Sequence, residues 1–192
     1  VSDSIADVLV KTYNLRTEIS VVRNIPNFWI VDKNTCNKVR KDLCEQMGWS
    51  ISDFIIMYDG SVSPGRGIEY AIQSITILKN CKMVIMGNGP LKEELVSMSK
   101  KLSIDSNLLF IPPVKQDIMW KYIGAIDVGL CILENTNRNH YLALPNKLFE
   151  CIQAEVPVIA SNFPEISKIV NKYKVGLCCR PDDVRELAQC IR

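Results

Sequence analysis

Two basic side chains, Arg66 and Lys147, each lie at the start of a predicted helix. The helix dipole disfavours a cation there by roughly 0.3–1 kcal/mol, whereas the same helix end attracts anions. Either residue alone is compatible with a solvated surface side chain. Two such positions in one chain indicate a shared polyanion more strongly than either position does alone. We therefore expect a phosphate-bearing ligand.

Two loops rich in glycine precede predicted helices. The first glycine loop, Gly60–Gly67, begins with Gly60 and Ser61 and contains Arg66, and the second is Gly87-Asn88-Gly89-Pro90. Glycine lets backbone N–H groups approach a phosphate closely at a helix start. The spacing fits neither the dinucleotide fingerprint nor the Walker A loop. An ordinary tight turn is therefore the alternative for each loop.

Acidic side chains and the single histidine are the other residues that could take part in binding or catalysis. Glu150 follows Lys147 by about one turn, so it is expected either to pair with that lysine or to accept hydrogen bonds from a ribose diol. Asp127 and Glu165 are candidate general bases without a visible partner, and His140 is predicted to be a surface residue. No Ser/His/Asp or Cys/His catalytic set can be assembled.

The stretch LPNKLFECIQAEVPVIASNFP holds Lys147 and Glu150 in place. It predicts a helix with Pro145 as its first residue, where proline loses no hydrogen bond. Leu148, Phe149 and Ile152 follow at helical spacing and are expected to face a core.

Strands that are apolar on both faces alternate with helices along the chain, which predicts a doubly wound, Rossmann-like parallel sheet with helices on both faces. Ligands of such α/β folds collect at the carboxyl ends of the strands. The predicted strands are Ile19–Arg23, Phe54–Tyr58, Met83–Met86, Leu108–Ile111, Val128–Ile132, Val156–Ala160 and Gly176–Cys179. The predicted helices, besides that after Pro145, are Ile5–Tyr13, Asn34–Met47, Gly67–Leu78, Leu91–Leu102, Gln116–Ile123, Phe163–Val170 and Asp182–Arg192, and Glu134–His140 is predicted to be a polar loop.

Composition fits one globular domain over residues 1–192. The chain is 47% hydrophobic and carries a net charge of +2, so no broad basic surface for nucleic acid is expected, and no apolar run is long enough for a membrane span. The eight cysteines include no C-x-x-C pair, and we interpret them as reduced thiols of a cytosolic protein, with disulfides or zinc as the alternative. Because the chain opens on Val1 and its last helix lacks a cap, we expect it to be part of a longer protein.

The chain resembles the C-terminal, donor-binding half of GT-B glycosyltransferases of the retaining family 4 type. The resemblance covers nearly the whole chain and rests on the order and spacing of several motifs. They are Val1–Ala6, Val21–Pro26, Gly60 with Arg66-Gly67-Ile68-Glu69, Gly87–Pro90, Tyr122–Leu130, Leu144–Glu150, and Pro157–Ser161 with Pro164-Glu165.

The resemblance implies sugar transfer from a nucleoside-diphosphate sugar, with retention at the anomeric carbon and without a bound metal or other cofactor. Arg66 corresponds to the basic residue that neutralises the diphosphate, and Gly60 and Ser61 would line the phosphates. Glu150 corresponds to the glutamate that binds ribose, while the backbone from Ile111 to Val114 would meet the base. The second glycine loop, with Pro145 and Asn146, completes the expected donor site.

Two positions depart from the family pattern. Leu142 stands where the first glutamate of a pair is expected, which leaves backbone N–H groups of that loop for the donor sugar. Ser61 replaces an expected basic residue, and we expect Lys147 to supply that charge. A related epimerase is the nearest alternative, but the acids and histidines that it needs are not clustered.

The resemblance also implies partners outside these residues. An N-terminal domain of the same polypeptide would bind a sugar or lipid-linked glycan acceptor. The enzyme would be cytoplasmic, with peripheral association at the inner face of a membrane as a further expectation. A non-catalytic nucleotide-binding module that docks on another protein is the alternative from a different functional class.

Overall fold

The computed structural model of the protein describes residues 2–192, and Val1, with which the first motif begins, lies outside them. Its helices are α1 (Asp3–Tyr13), α2 (Lys33–Met47), α3 (Ile68–Ile75), α4 (Lys92–Lys101), α5 (Gln116–Ile123), α6 (Arg138–Tyr141), α7 (Asn146–Gln153), α8 (Pro164–Tyr173) and α9 (Val184–Ile191). Its strands are β1 (Phe54–Asp59), β2 (Cys81–Met86), β3 (Leu108–Ile111), β4 (Val128–Cys131), β5 (Val158–Ser161) and β6 (Gly176–Cys179).

The six strands form one parallel sheet in the order β3-β2-β1-β4-β5-β6. β1 and β2 pair along their whole length, from Phe54 opposite Cys81 to Asp59 opposite Met86. The order reverses between β1 and β4, which creates a crevice at the edge where the strands end. We call this edge the carboxyl edge. The predicted doubly wound, Rossmann-like sheet is confirmed.

Each face of the sheet carries its own apolar core. One core joins the strands to α2, α5, α7 and α8 through residues such as Leu43, Ile123 and Leu148. The other joins them to α3, α4 and α9 and includes Ile72 and Leu187. Strands covered on both faces must be apolar on both faces, which explains their nearly continuous hydrophobic sequences.

The predicted strand Ile19–Arg23 is wrong. Within the described chain, residues 15–32 contain no helix or strand, because this segment pairs with no neighbouring strand. Its end is instead held by one side chain: the Gln153 amide donates to the Pro26 carbonyl oxygen and accepts from the Trp29 N–H, both at 3.0 Å. Trp29 is buried in the core that contains α7.

The region before α7 also differs from expectation. The predicted loop Glu134–His140 contains the start of α6, which Asn137 caps by accepting from the His140 N–H at 2.9 Å. Pro145 is the residue before α7 rather than its first residue, because its backbone is extended (φ −76°, ψ 147°). The first glycine loop is a loop, as predicted. α1 ends at Tyr13 and α2 ends at Met47, as predicted, and Gly48 caps α2.

All eight cysteines lie among the described residues and are unpaired, and six of them are buried. Cys178 and Cys179 belong to β6, as the interpretation of this pair as strand packing predicts. Burial raises the pKa of the Cys131 thiol to about 12. Within residues 2–192, every helix is too short or too polar to traverse a lipid bilayer.

Candidate functional site

The two glycine loops join at the carboxyl edge through backbone hydrogen bonds. The Gly60 N–H donates to the Met86 carbonyl oxygen at 2.9 Å, and the Val62 N–H donates to the Asn88 carbonyl oxygen at 3.0 Å. The Gly87 N–H reaches the Ile111 carbonyl oxygen at 3.0 Å, which connects the end of β3 to the same junction. The structure therefore brings together the residues that the sequence predicts at the ends of β1, β2 and β3.

Glycine is required at this junction because the backbones touch. A Cβ atom at Gly87 would lie 1.9 Å from the Gly60 carbonyl oxygen, and one at Gly89 would lie 2.1 Å from that of Val62. Both contacts are far inside van der Waals distance and involve backbone, which cannot rotate away. The two loops are thus one close-packed unit rather than two independent turns.

Lys147 extends from the first turn of α7 beneath the start of the first glycine loop. Its amine donates to the Asp59 carbonyl oxygen at 2.6 Å and lies 3.7 Å from the centroid of the Tyr58 ring. Among residues 2–192 it forms no ion pair with Glu150, so that interpretation is wrong. The Tyr58 hydroxyl donates to the Ser61 carbonyl oxygen at 2.7 Å, which fixes the next residues of the loop.

Asp59 and Glu150 form a buried pair of carboxyl groups beside Lys147, which we call the carboxyl pair. Each residue is only 6% exposed. Burial, the charge of Asp59 and a side-chain hydrogen bond with Asp59 raise the pKa of Glu150 to about 7, although Lys147 acts in the opposite direction. Burial alone would lower the pKa of Lys147, but Asp59 and Tyr58 outweigh it, so the net pKa of the amine is raised.

The N-terminus of α7 faces this cluster without a side-chain cap in the described chain. Pro145 precedes it in an extended conformation, and Asn146 and Lys147 form its first turn. Backbone N–H groups at an uncapped helix start are oriented to receive an anion. The site thus combines a helix end, a lysine and two glycine loops.

Arg66 lies near the other end of the first glycine loop. Its Nε atom is buried and has no hydrogen-bond partner among residues 2–192. Beside it, the Gly67 N–H donates to Glu134 at 3.1 Å, while a Cβ atom at Gly65 would contact Thr136 and His140 at 3.2–3.3 Å. A buried, unpartnered guanidinium nitrogen is costly unless a ligand or water completes its hydrogen bonding.

The end of β3 borders a cavity of about 220 Å³, where Ile111 and Val114 meet Val39 of α2 and Tyr122 of α5. Leu142 ends α6, and both of its backbone polar groups are used. Its N–H donates to the Arg138 carbonyl oxygen at 3.0 Å, and its own carbonyl oxygen accepts from the Ser2 hydroxyl at 2.8 Å.

The candidate general bases Asp127 and Glu165, and also His140, have partners within the chain. Asp127 is at the opposite edge of the sheet, where it pairs with Arg40 at 3.1 Å and accepts the Ile55 N–H at 2.7 Å. Glu165 is buried and accepts from the Ser4 hydroxyl at 2.6 Å. His140 is half-buried and bonds to Thr136 at 3.0 Å.

Sequence reasoning missed Asp59. In the sequence, Asp59 stands out only as a single acid at the end of the apolar strand FIIMYD. That it lies near Glu150 becomes visible only once the chain is folded. No three His, Cys, Asp or Glu side chains of the described residues gather into a set that could hold a metal ion.

Curated relatives of this chain are glycosyltransferases. An uncharacterized glycosyltransferase of Methanocaldococcus jannaschii is 23% identical over 192 residues, which are 98% of this chain and 48% of the relative. Alpha-D-kanosaminyltransferase of Streptomyces kanamyceticus is 21% identical over 141 residues, or 71% of this chain and 35% of the enzyme. The chain therefore spans less than half the length of these relatives.

Solved structures with this fold include S. aureus TarM, with a TM-score of 0.75, 13% identity, and coverage of 100% of this chain and 35% of that one. Sucrose-phosphate synthase from Thermosynechococcus elongatus gives a TM-score of 0.73, 17% identity, and coverage of 100% and 47%. Anabaena HepE in complex with UDP-glucose gives 0.68, 16% identity, and coverage of 84% and 44%.

These similarities establish a Rossmann-like sheet shared with GT-B glycosyltransferases. Residues 53–192 match the profile of the family described as glycosyl transferases group 1. The match includes both glycine loops, Lys147 and the carboxyl pair. The chain belongs to the group 1 glycosyl transferases.

Proposed function

We propose that this chain is the donor-binding half of a retaining, metal-independent family 4 type glycosyltransferase. It binds a nucleoside-diphosphate sugar, whose sugar is transferred to a sugar or lipid-linked glycan acceptor. The observation that carries the proposal is the junction of two glycine loops with the uncapped start of α7 at the reversal point of the sheet. Family membership and the complex of HepE with UDP-glucose support this choice of ligand.

Each part of the junction has a role in donor binding. The diphosphate lies over Gly60, Ser61 and the backbone of Gly87-Asn88-Gly89, where glycine permits a close approach. The N-terminus of α7, with Pro145 and Asn146, faces the same charge. Arg66 has a buried Nε–H group without a partner among residues 2–192, and we assign its guanidinium to the diphosphate.

The other end of the donor has its own contacts. The nucleobase enters the cavity bordered by Ile111 and Val114, and the ribose reaches Glu150. The sugar lies towards Leu142. Because the N–H of Leu142 is already bonded within α6, we expect no backbone donor from this residue.

The chemistry assigned to these groups is stabilisation of a leaving group. Negative charge grows on the diphosphate as the glycosidic bond breaks. A cation that binds the diphosphate more tightly in the transition state than in the bound substrate therefore lowers the activation free energy of transfer. Arg66 and Lys147 supply positive charge without a metal. By analogy with a single oxyanion-hole donor, loss of either is expected to cost on the order of 2–4 kcal/mol of transition-state stabilisation.

The acceptor site belongs to the same proposal. We place it on an N-terminal domain of the same polypeptide, since this chain covers less than half of the relatives that it matches. We further propose that the whole enzyme acts in the cytoplasm at the inner face of a membrane.

Thermal unfolding of this chain with UDP-glucose, GDP-mannose or ADP-glucose tests the donor site. We expect one of them to raise the midpoint temperature in a concentration-dependent way. Arg66→Ala should abolish that shift, whereas Arg185→Ala, which removes an exposed arginine on α9, should preserve it. Absence of a shift with all three nucleotide sugars, or an undiminished shift in Arg66→Ala, contradicts the proposal.

A further inference from the structure

Arg66 lies between two glycines, and Glu134 forms a hydrogen bond with each of them. The Glu134 N–H donates to the Gly65 carbonyl oxygen at 3.0 Å, and the Glu134 carboxylate accepts from the Gly67 N–H at 3.1 Å. The residue before Arg66 and the residue after it are therefore bonded to one residue of the loop that follows β4. We call these two hydrogen bonds the Glu134 clasp.

The Glu134 clasp restricts a segment that glycine would otherwise leave free. Gly65 has φ +78° and Gly67 has φ +67°, so both adopt the left-handed conformation. Glycine reaches this conformation without steric cost, but it also loses the most conformational freedom when it becomes ordered. One hydrogen bond on each side therefore fixes the backbone from which the Arg66 side chain extends.

Close packing holds the same segment against the chain around Glu134. A Cβ atom at Gly67 would lie 2.4 Å from Cγ2 of Ile132, and one at Gly65 would lie 3.2 Å from Cγ2 of Thr136. Ile132 and Thr136 flank Glu134, two residues away on either side. The backbone beside Arg66 thus rests directly on the end of β4 and on the loop that follows it.

Glu134 is fixed to the sheet through its neighbour Leu133. The Leu133 N–H donates to the hydroxyl oxygen of Ser161, and this hydroxyl donates to the Leu133 carbonyl oxygen, both at 2.8 Å. Ser161 is the last residue of β5 and is completely buried. The Glu134 clasp is therefore anchored to a rigid strand, which is the support that a precise binding site needs.

The Glu134 clasp holds Arg66 without neutralising it. Neither side chain forms an ion pair among residues 2–192. The Glu134 carboxylate lies instead at the start of α3, where it accepts from the backbone of the N-cap residue Gly67. Because a protein carboxylate already occupies this helix end, the diphosphate is left to the guanidinium of Arg66.

We propose that Glu134 is a positioning residue of the donor site, which bonds to Gly65 and Gly67 and thereby fixes the guanidinium of Arg66 where the diphosphate of a nucleotide sugar binds. This inference rests on the proposed function. A cation that is ordered before the ligand arrives loses less conformational freedom on binding. Donor affinity should therefore depend on the hydrogen-bond acceptor at residue 134 and not on its charge.

A helix cap without this positioning role would behave differently. Loss of a cap lowers the free energy of unfolding, but it leaves the Arg66 side chain in place in every molecule that stays folded. The position of Arg66 must therefore be measured in the folded protein. Stability alone does not separate the two roles.

NMR of ¹⁵N-labelled arginine side chains reports on that position in the free chain. Because the Nε atom of Arg66 is buried, we expect its Nε–H to exchange with water more slowly than that of Arg185, which is exposed on α9, by roughly tenfold or more. Loss of each resonance in Arg66→Ala and in Arg185→Ala assigns it.

Three substitutions of Glu134 separate the hydrogen bond from the charge. Glu134→Ala removes the acceptor of the Gly67 N–H, so the Nε–H of Arg66 should exchange as fast as that of an exposed arginine. Glu134→Asp keeps the charge but is one methylene shorter, and it should behave like Glu134→Ala. Glu134→Gln keeps an oxygen that accepts from Gly67 without the charge, and it should retain slow exchange.

Asp32→Ala is the matched control for these substitutions. It removes another carboxylate that caps a helix, because Asp32 accepts from the backbone N–H groups of Asn34 and Thr35 at the start of α2. We expect it to lower stability and to leave the exchange of Arg66 unchanged. Thermal unfolding of each variant shows whether it is folded, and Glu134→Asp carries the test if Glu134→Ala is not.

Calorimetric titration then measures the effect on binding, with the nucleotide sugar that gives the largest thermal shift among UDP-glucose, GDP-mannose and ADP-glucose. Glu134→Ala and Glu134→Asp should bind it roughly tenfold more weakly than wild type, because a fixed hydrogen bond is lost. Glu134→Gln and Asp32→Ala should bind it within about threefold of wild type.

Each outcome decides one claim. Slow exchange of the Arg66 Nε–H in folded Glu134→Ala or Glu134→Asp overturns the positioning role, and fast exchange in Glu134→Gln overturns the hydrogen bond as its cause. Wild-type affinity in a variant whose Arg66 exchanges fast overturns the role of the clasp in donor binding. Absence of wild-type binding to all three nucleotide sugars instead overturns the proposed function, whatever the exchange of Arg66 shows.

Discussion

Lys147, which we propose as a donor-site residue, also has a role in the fold. Its amine is fixed by the Asp59 carbonyl oxygen at 2.6 Å and by the ring of Tyr58, so it supports the first glycine loop before any ligand arrives. A flexible lysine would lose conformational freedom when it binds phosphate, whereas this one is already ordered. Its position explains why a cation is tolerated in the first turn of α7.

Glu150 should make the stability of the chain depend on pH. Its pKa is raised to about 7 in the folded state, above an ordinary value near 4.3 in the unfolded state. The folded state therefore binds the proton more tightly, and stability that is present at low pH is lost as pH rises towards and through 7.

We therefore expect Glu150→Gln to raise the free energy of unfolding relative to wild type at pH 8, by roughly 1–3 kcal/mol, and to have little effect at pH 5. Urea denaturation at the two pH values measures the difference. A variant that is less stable than wild type at pH 8 would contradict the raised pKa.

At the scale of residues, the sequence was informative where chemistry conflicted with local structure. Arg66 and Lys147 were predicted to be site residues because the helix dipole disfavours a cation at a helix start unless an anion is bound there. Their assignment to the donor remains a prediction. Asp59 escaped notice because its importance depends on Glu150, which lies far along the chain and is brought close only by the sheet.

The two glycine loops behave as a single element, and substitution at their contact should show this. Gly87→Ala would place a methyl group 1.9 Å from the Gly60 carbonyl oxygen, so one loop must move. We expect a loss of about 3 kcal/mol in the free energy of unfolding, together with loss of nucleotide-sugar binding.

Gly48→Ala is the matched control for this substitution. Gly48 ends α2 with φ +66°, and a Cβ atom there would meet nothing within 4 Å. It should cost only about 1 kcal/mol, the penalty for a left-handed conformation, and should leave binding intact. Equal losses in the two variants, measured by chemical denaturation, would argue against the backbone contact as the cause.

At the scale of elements, most strands and helices could be predicted because buried strands and amphipathic helices leave different periodicities. Ile19–Arg23 had the composition of a strand but no partner, and pairing cannot be deduced from composition. The short helix α6 was missed because Asn137, its cap, lies within a polar stretch that resembles a loop. Pro145 illustrates that boundaries shift by a residue at helix ends.

The whole molecule presents its candidate site on one edge of a single sheet. The strand order could be predicted as doubly wound because right-handed crossovers limit the alternatives. The 192 residues cover less than half the length of their relatives, and a domain that faces the carboxyl edge stays a prediction.

We expect the isolated chain to bind a nucleotide sugar but to transfer little or no sugar. One wall of a site can hold a donor, whereas transfer also requires an oriented acceptor and exclusion of water. Release of nucleoside diphosphate, followed with a coupled assay and glycan acceptors, measures this activity. Rapid transfer by the isolated chain would contradict this expectation.

The eight unpaired cysteines give this fold a built-in probe of its own opening. Burial holds the pKa of Cys131 and Cys179 far above neutrality, so neither thiol is a nucleophile while the sheet is closed. A maleimide pulse at neutral pH would thus mark these two positions only in molecules that have opened. Mass spectrometry of the marked peptides would report on the crevice strand β4 and the edge strand β6 separately, without any engineered label.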